Sequence, residues 1–174
     1  MGPLASISRI CSEGVGMRKK SVLNINVNSI MNTIMETHPA SHMTDIQEPN
    51  QQTAYELIGG EAVIKSLVER FYDLMDLEPA YAALRATHGD SLDQPRQKTF
   101  WFLCGWMGGP SYYEDRFGHP RLRMRHLPFK IGILERDQWV ACMDQAMRDV
   151  GVEDAFRVQL GESFFRTADW MRNQ

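Results

Sequence analysis

Residues 118–129 read GHPRLRMRHLPF and place a glycine, two prolines and two histidines within one short segment. The spacing predicts a short helical turn over about 122–127, because a residue that precedes proline avoids helical geometry and Pro128 therefore ends the turn. His126 lies at the end of that turn, with Met124 and Leu127 as apolar neighbours. Helix-end carbonyl groups left free beside Pro128 could accept a hydrogen bond from the imidazole ring and fix its orientation.

Four longer segments have apolar residues at helical spacing, over about 61–75, 93–107, 134–150 and 152–172. Gly108, Gly109 and Pro110 end the second of these helices, and residues 108–121 are predicted to form a loop. In the third helix, Leu134 is expected to share the buried face that includes Trp139. No segment has the pattern of a strand, so the sequence predicts an all-α fold.

Residues 1–52 differ from the rest of the chain because they contain no tryptophan, tyrosine or phenylalanine. A segment without large apolar side chains cannot form a core of its own. We therefore expect a disordered or weakly ordered N-terminal extension over 1–52 and a single folded domain over 53–174. Arg18, Lys19 and Lys20 give the extension some features of a targeting segment, and a start at Met43 is the alternative interpretation.

The 174 residues are 43% hydrophobic and 24% charged, which is typical of a soluble globular protein. The net charge of −3 argues against a nucleic-acid-binding protein, which would need a basic surface. The sequence has no apolar run long enough to span a membrane. Its three cysteines are too few for a disulfide scaffold and are interpreted as reduced thiols in a cytoplasmic protein.

Four interpretations of His126 follow from the residues alone. A histidine held between apolar side chains can ligate a heme iron, but such a histidine is more often a structural one. Zinc ligation would draw on Cys104, His119, His126 and Cys142, whose spacings do not form the compact pairs of zinc sites. A cysteine–histidine hydrolase is disfavoured, because Cys104 and Cys142 lie on apolar helical segments.

Several motifs, in this order and at these spacings, resemble those of the group II truncated haemoglobins. They are Gly59-Gly60, Arg70-Phe71-Tyr72, Gly108-Gly109-Pro110, residues 118–126, and Glu135-Arg136-Asp137-Gln138-Trp139. The resemblance covers residues 53–174. It implies a truncated globin fold, in which a two-over-two helical sandwich encloses a heme.

The resemblance also implies roles for individual residues. His126 matches the proximal iron ligand, and Pro95 falls where many globins have a polar distal residue. The distal hydrogen-bond donors would be Tyr72 and Trp139, with His88 at the corner after the tyrosine's helix. The remaining matches line the pocket, meet the heme propionates or hold the loop, and they are Thr99, Phe102, Lys98, Tyr113, His119 and Arg125.

The function implied by the resemblance is the binding of dioxygen, nitric oxide and carbon monoxide by heme b. Nitric oxide dioxygenation or peroxidase-like chemistry would need an external reductase, because the chain has no flavin or nicotinamide fingerprint. The alternative is a helical interaction domain that kept the globin fold and lost the heme.

Overall fold

The computed structural model describes residues 52–174, so the prediction for the N-terminal extension lies almost entirely outside the described residues. Regular structure in the described part is helical throughout, which confirms the predicted all-α fold. The α-helices are α1 (Ala54–Ile58), α2 (Gly60–Leu77), α3 (Ala82–Ala86), α4 (Asp93–Trp106), α5 (Tyr112–Phe117), α6 (Leu122–His126), α7 (Ile133–Asp149) and α8 (Asp154–Met171), and a 3-10 turn spans Pro79–Tyr81.

The four long helices form the sandwich. Helix α2 packs on both α4 and α7, and α7 packs on α8, so α2 and α4 lie over α7 and α8. The buried side chains of α2 recur every three or four residues and include Leu67, Phe71 and Met75. They meet Met143 and Met147 of α7 in one core.

Helix α1 fixes the position at which the polypeptide chain enters the sandwich. Thr53 and Glu56 form a capping box at its start, so two backbone N–H groups have partners there. Gly59 separates α1 from α2 with a φ of 103°, a conformation that disfavours residues with a Cβ atom. The Tyr55 ring packs directly against Gly109, where a Cβ atom would collide with it. These contacts join the start of the domain to the end of α4.

The structure corrects two expectations. Residues 108–121 contain the helix α5, although the glycines and Pro110 predicted a loop. The side chain of Leu134 is 57% exposed and does not share the buried face of α7. Leu134 lies five residues before Trp139, which places it about 140° around the helix from that residue.

Residues 52–174 include no helix that is both long and apolar enough to cross a membrane.

Candidate functional site

His126 is the last residue of α6, and its ring is held by the helix itself. The Nδ1 atom lies 2.7 Å from the carbonyl oxygen of Leu122. Because a carbonyl oxygen can only accept, Nδ1 carries the hydrogen, and the Nε2 atom of the neutral ring keeps its lone pair. The acceptor thus lies one turn before His126 in the same helix. It is not the helix-end carbonyl beside Pro128 that the sequence predicts. The arrangement leaves Nε2 chemically suited to ligate a metal.

The turn that carries His126 is tied to the end of α8. Asn173 donates from Nδ2 to the carbonyl oxygens of Phe129 at 2.7 Å and of His126 at 3.3 Å. Arg123 donates to the carbonyl oxygens of Trp170 and Arg172. Sequence reasoning missed Asn173, because a lone asparagine next to the C-terminus has no pattern that indicates a role.

Large apolar side chains on the His126 side are left uncovered. The exposed fractions are 53% for Met124, 56% for Leu127, 46% for Phe129 and 58% for Ile133. Several large exposed apolar side chains within one short segment usually mark a surface that a bound group covers. A flat apolar group ligated by His126 would cover it, so the residues present fit a heme.

Tyr72 and Thr99 form a hydrogen-bonded pair between α2 and α4. The phenolic oxygen of Tyr72 lies 2.9 Å from Thr99 Oγ1, and either hydroxyl can be the donor. The Tyr72 side chain is buried, and this burial raises the pKa of Tyr72 to about 12. Tyr72 is therefore a protonated phenol near neutral pH and can donate a hydrogen bond.

His88 lies beside Tyr72, just after α3. Its ring meets the Tyr72 ring edge-on, with centroids 6.0 Å apart. His88 Nδ1 lies 3.1 Å from the carbonyl oxygen of Leu84, so Nδ1 is the donor and Nε2 of the neutral ring is an acceptor. Burial lowers the pKa of His88, and the charge of Arg85 lowers this pKa further against the opposing hydrogen bond to Leu84. The neutral form with a free Nε2 is thus favoured.

Trp139 occupies a half-buried position on α7. The Phe71 ring packs against both side chains, with its centroid 5.5 Å from that of Trp139 and 5.1 Å from that of Tyr72. The neighbouring Gln138 accepts a hydrogen bond of 2.8 Å from the backbone N–H of Leu84, which holds the His88 corner against α7. The structure therefore brings Tyr72, Thr99 and His88 together and places Trp139 one ring away.

Phe102 and Tyr113 join α4 to α5. Their rings meet edge-on with centroids 6.3 Å apart, and Phe102 also stacks on Trp106 at 6.4 Å. Tyr113 is buried and Phe102 half-buried. The two rings form an apolar wall, which suits the predicted lining role of Phe102.

Lys98, His119 and Arg125 lie at the surface rather than with the distal residues. Lys98 Nζ is 3.5 Å from the side-chain oxygen of Gln94, and Arg125 Nε donates to the carbonyl oxygen of Pro120 at 2.9 Å. His119 Nδ1 accepts a hydrogen bond of 3.1 Å from the backbone N–H of Arg121. The exposed cations Lys98 and Arg125 can pair with carboxylates at the edge of a bound group.

The cysteines and Pro95 contribute no polar chemistry to the site. Burial raises the pKa of Cys104 to about 11 and that of Cys142 to about 12, so both thiols stay protonated. Within residues 52–174, no three histidine, cysteine, aspartate or glutamate side chains are placed to hold a metal ion together. Pro95 lies in the first turn of α4 and offers no hydrogen-bond donor.

The sequence model of the bacterial-like globin family matches residues 53–173. A group 2 truncated haemoglobin of Bacillus subtilis is 38% identical over 120 residues, which cover 69% of this chain and 88% of that protein. The chain belongs to the group II truncated haemoglobins. This truncated haemoglobin is also similar to the solved group II 2-on-2 haemoglobin of Agrobacterium tumefaciens, with 38% identity, a TM-score of 0.69, and coverage of 74% of this chain and 99% of the other.

A second similar structure is the cold-adapted truncated haemoglobin of the Antarctic bacterium Pseudoalteromonas haloplanktis. It is 41% identical, with a TM-score of 0.68, and the match covers 71% of this chain and 99% of that one. The predicted family and the two-over-two fold are thus confirmed. As a member of this family, the truncated haemoglobin is a heme-binding globin that takes gaseous ligands.

Proposed function

We propose that this truncated haemoglobin binds dioxygen, and also nitric oxide and carbon monoxide, at a heme b whose iron is ligated by His126 Nε2. The observation that carries the proposal is the 2.7 Å hydrogen bond from His126 Nδ1 to the Leu122 carbonyl. That bond fixes the tautomer with a free Nε2 lone pair and restrains rotation of the ring. When bound, the heme supplies the iron to which a diatomic ligand attaches.

The proximal residues would hold the heme by shape and by charge. Met124, Leu127 and Phe129 would lie against its apolar face, which accounts for side chains that are otherwise exposed. Lys98 and Arg125 would pair with the propionates, because both are exposed cations. Tyr113 and His119 are proposed as supports of the same edge and of the loop before α6.

Tyr72 is proposed as the main donor to the ligand. Its oxygen can accept from Thr99 Oγ1–H while its own proton turns toward the ligand, because the hydroxyl pair at 2.9 Å works in either direction. A bound dioxygen carries partial negative charge, so one such hydrogen bond stabilises it by about 1–2 kcal/mol. Because 1.4 kcal/mol corresponds to about tenfold, Tyr72 slows dioxygen release by roughly an order of magnitude.

Trp139 and Phe102 are proposed to shape the pocket around this donor. The indole N–H of Trp139 is a second donor on the distal side, and the Phe71 ring at 5.5 Å sets its position. Phe102 would exclude water from the ligand, since it closes the wall between α4 and α5. A dry pocket strengthens every hydrogen bond inside it.

His88 is proposed to act as an acceptor on the distal side near neutral pH. Its Nδ1 hydrogen is directed to Leu84 at 3.1 Å, so only Nε2 faces away from the corner's backbone with a free lone pair. The ring can therefore accept a proton or a hydrogen bond from a ligand such as a peroxide. A donor role for Nε2 would need the protonated ring.

Absorption spectroscopy of the purified protein with added hemin tests the proposal. We expect a Soret band in the ferric protein and reversible spectral changes when the reduced protein meets dioxygen or carbon monoxide. A protein that folds but takes up no heme would instead be the helical interaction domain. A structure described as that of a truncated oxygen-avid haemoglobin from Bacillus subtilis, 37% identical to this chain, supports dioxygen as the first ligand to test.

A further inference from the structure

A continuous series of aromatic rings runs from the distal pocket to the surface. We call it the aromatic chain, and it consists, in order of contact, of Tyr72, Phe71, Trp139, Phe164, Trp106, Phe102, Tyr113, Phe117 and Trp101. The centroids of successive rings are 5.0 Å apart at the closest contact and 6.4 Å at the widest. These distances are those of directly packed rings. The proposed function uses Phe102 and Tyr113 only as packing and supporting groups, and it gives no role to Phe117 and Trp101.

The order of residue types along the aromatic chain is regular. From Trp139 outward, each indole or phenol is separated from the next by a single phenyl ring, in the order Trp139, Phe164, Trp106, Phe102, Tyr113, Phe117 and Trp101. Indole and phenol rings lose one electron far more readily than a phenyl ring. The phenylalanines are therefore bridges, and the tryptophans and the tyrosine are the stations between which an electron can move.

Two inner members of the aromatic chain, Trp106 and Tyr72, lack a good acceptor for a proton lost on oxidation. Trp106 Nε1 is buried and has no hydrogen-bond partner within residues 52–174. An oxidised Trp106 thus keeps its proton and its positive charge, and it readily takes an electron from the next ring. At the inner end, the buried Tyr72 phenol has the Thr99 hydroxyl at 2.9 Å as its hydrogen-bond partner, and a hydroxyl is a poor proton acceptor.

The outer end has the opposite character. Phe117 is 44% exposed at the end of α5, and its ring lies 6.0 Å from that of half-buried Trp101. The Arg116 guanidinium lies 4.6 Å above the Trp101 ring. A cation over the ring disfavours a positively charged indole, so an oxidised Trp101 releases its proton to solvent and persists as a neutral radical. Trp101 is thus the residue on which the radical accumulates.

We propose that the aromatic chain carries electrons from Trp101 to the heme pocket during the reduction of hydrogen peroxide, and that Trp101 is the surface site at which a small phenol is oxidised. The proposal rests on the proposed heme function. Hydrogen peroxide takes up two electrons and two protons and becomes two water molecules. Two phenol molecules each give up one electron and one proton at Trp101 and leave as phenoxyl radicals, which balances the reaction.

The test uses the heme-loaded protein with hydrogen peroxide and a nitrone spin trap, without phenol. Peptide mass spectrometry then locates the trapped radical. We expect the adduct on Trp101, and we expect its loss in Tyr113→Phe, because that variant keeps the ring and removes the last station before Trp101. Tyr112→Phe is the matched control, since Tyr112 stacks on Phe100 outside the aromatic chain, and it should leave the adduct on Trp101.

A second variant separates surface oxidation from ligand binding. Trp101→Phe should abolish peroxide-driven phenol oxidation and leave the dioxygen dissociation rate unchanged. An equal adduct on Trp101 in Tyr113→Phe, or the same adduct in protein without heme, would overturn the proposal. If no heme binds, the proposed function fails as well; if heme and dioxygen bind normally and Trp101 remains unlabelled, the aromatic chain alone is refuted.

Discussion

Replacing Tyr72 with phenylalanine removes one hydroxyl group and leaves the buried ring in place. The ring keeps its edge-on contacts with Phe71 and His88, at 5.1 and 6.0 Å. The lost hydrogen bond to a partly negative ligand corresponds to about 1–2 kcal/mol. Because each 1.4 kcal/mol is about tenfold, dioxygen should dissociate about 5- to 30-fold faster from Tyr72→Phe than from the wild type.

Stopped-flow displacement of dioxygen by carbon monoxide measures this rate. Tyr112→Phe is the matched control, because the Tyr112 hydroxyl donates a hydrogen bond of 2.9 Å to Glu61 and is not part of the Tyr72–Thr99 pair. The dioxygen dissociation rate of Tyr112→Phe should equal that of the wild type. An unchanged rate in a Tyr72→Phe protein with normal heme spectra would show that the Tyr72 hydroxyl bonds to Thr99 and not to the ligand.

Four further variants test three other features of the protein. Burial lowers the pKa of His88, so the unfolded state is protonated first as the pH falls below about 6.5. The free energy of unfolding of the wild type should therefore drop more than that of His88→Phe between pH 7 and 5. Equal drops in denaturant titrations would contradict this expectation. Asn173→Ala loses the two hydrogen bonds from Asn173 to the turn of His126. The variant should lower the free energy of unfolding by about 1–3 kcal/mol and lose heme faster to apomyoglobin. Wild-type values for both quantities would show that the turn is stable without Asn173. Gly109→Ala forces a Cβ atom against the Tyr55 ring and should lower the free energy of unfolding by about 1–3 kcal/mol. Gly161 has open space around it, so Gly161→Ala should leave this free energy unchanged or raise it by up to about 1 kcal/mol in thermal unfolding.

The long helices could be predicted from the sequence because each buries a full stripe of side chains. Over 61–75 the apolar spacing is sustained for four turns, and the structure has a helix over Gly60–Leu77. The short helices α1, α3 and α5 have five or six residues, which is too few for a period to emerge. Helix α5 buries only Tyr113, so its sequence retains the composition of a loop.

The sequence predicts candidate residues for the site and does not predict their arrangement. His126 is a candidate because of one contiguous segment, whereas its support by Asn173 joins residues 47 positions apart. The free nitrogen of His88 depends on the bond from Nδ1 to Leu84, which only the folded corner defines. The aromatic chain combines rings from α2, α4, α5, α7 and α8, so no local pattern could reveal it.

The absorption spectrum of His126→Gly, with and without added imidazole, measures most directly whether His126 ligates the heme iron. We expect the purified variant to lose the Soret band of ligated heme and to regain it when free imidazole takes the place of the missing side chain, because Leu122 and the apolar side chains around position 126 remain. A His126→Gly protein whose ferrous spectrum equals that of the wild type without imidazole would show that another residue holds the iron.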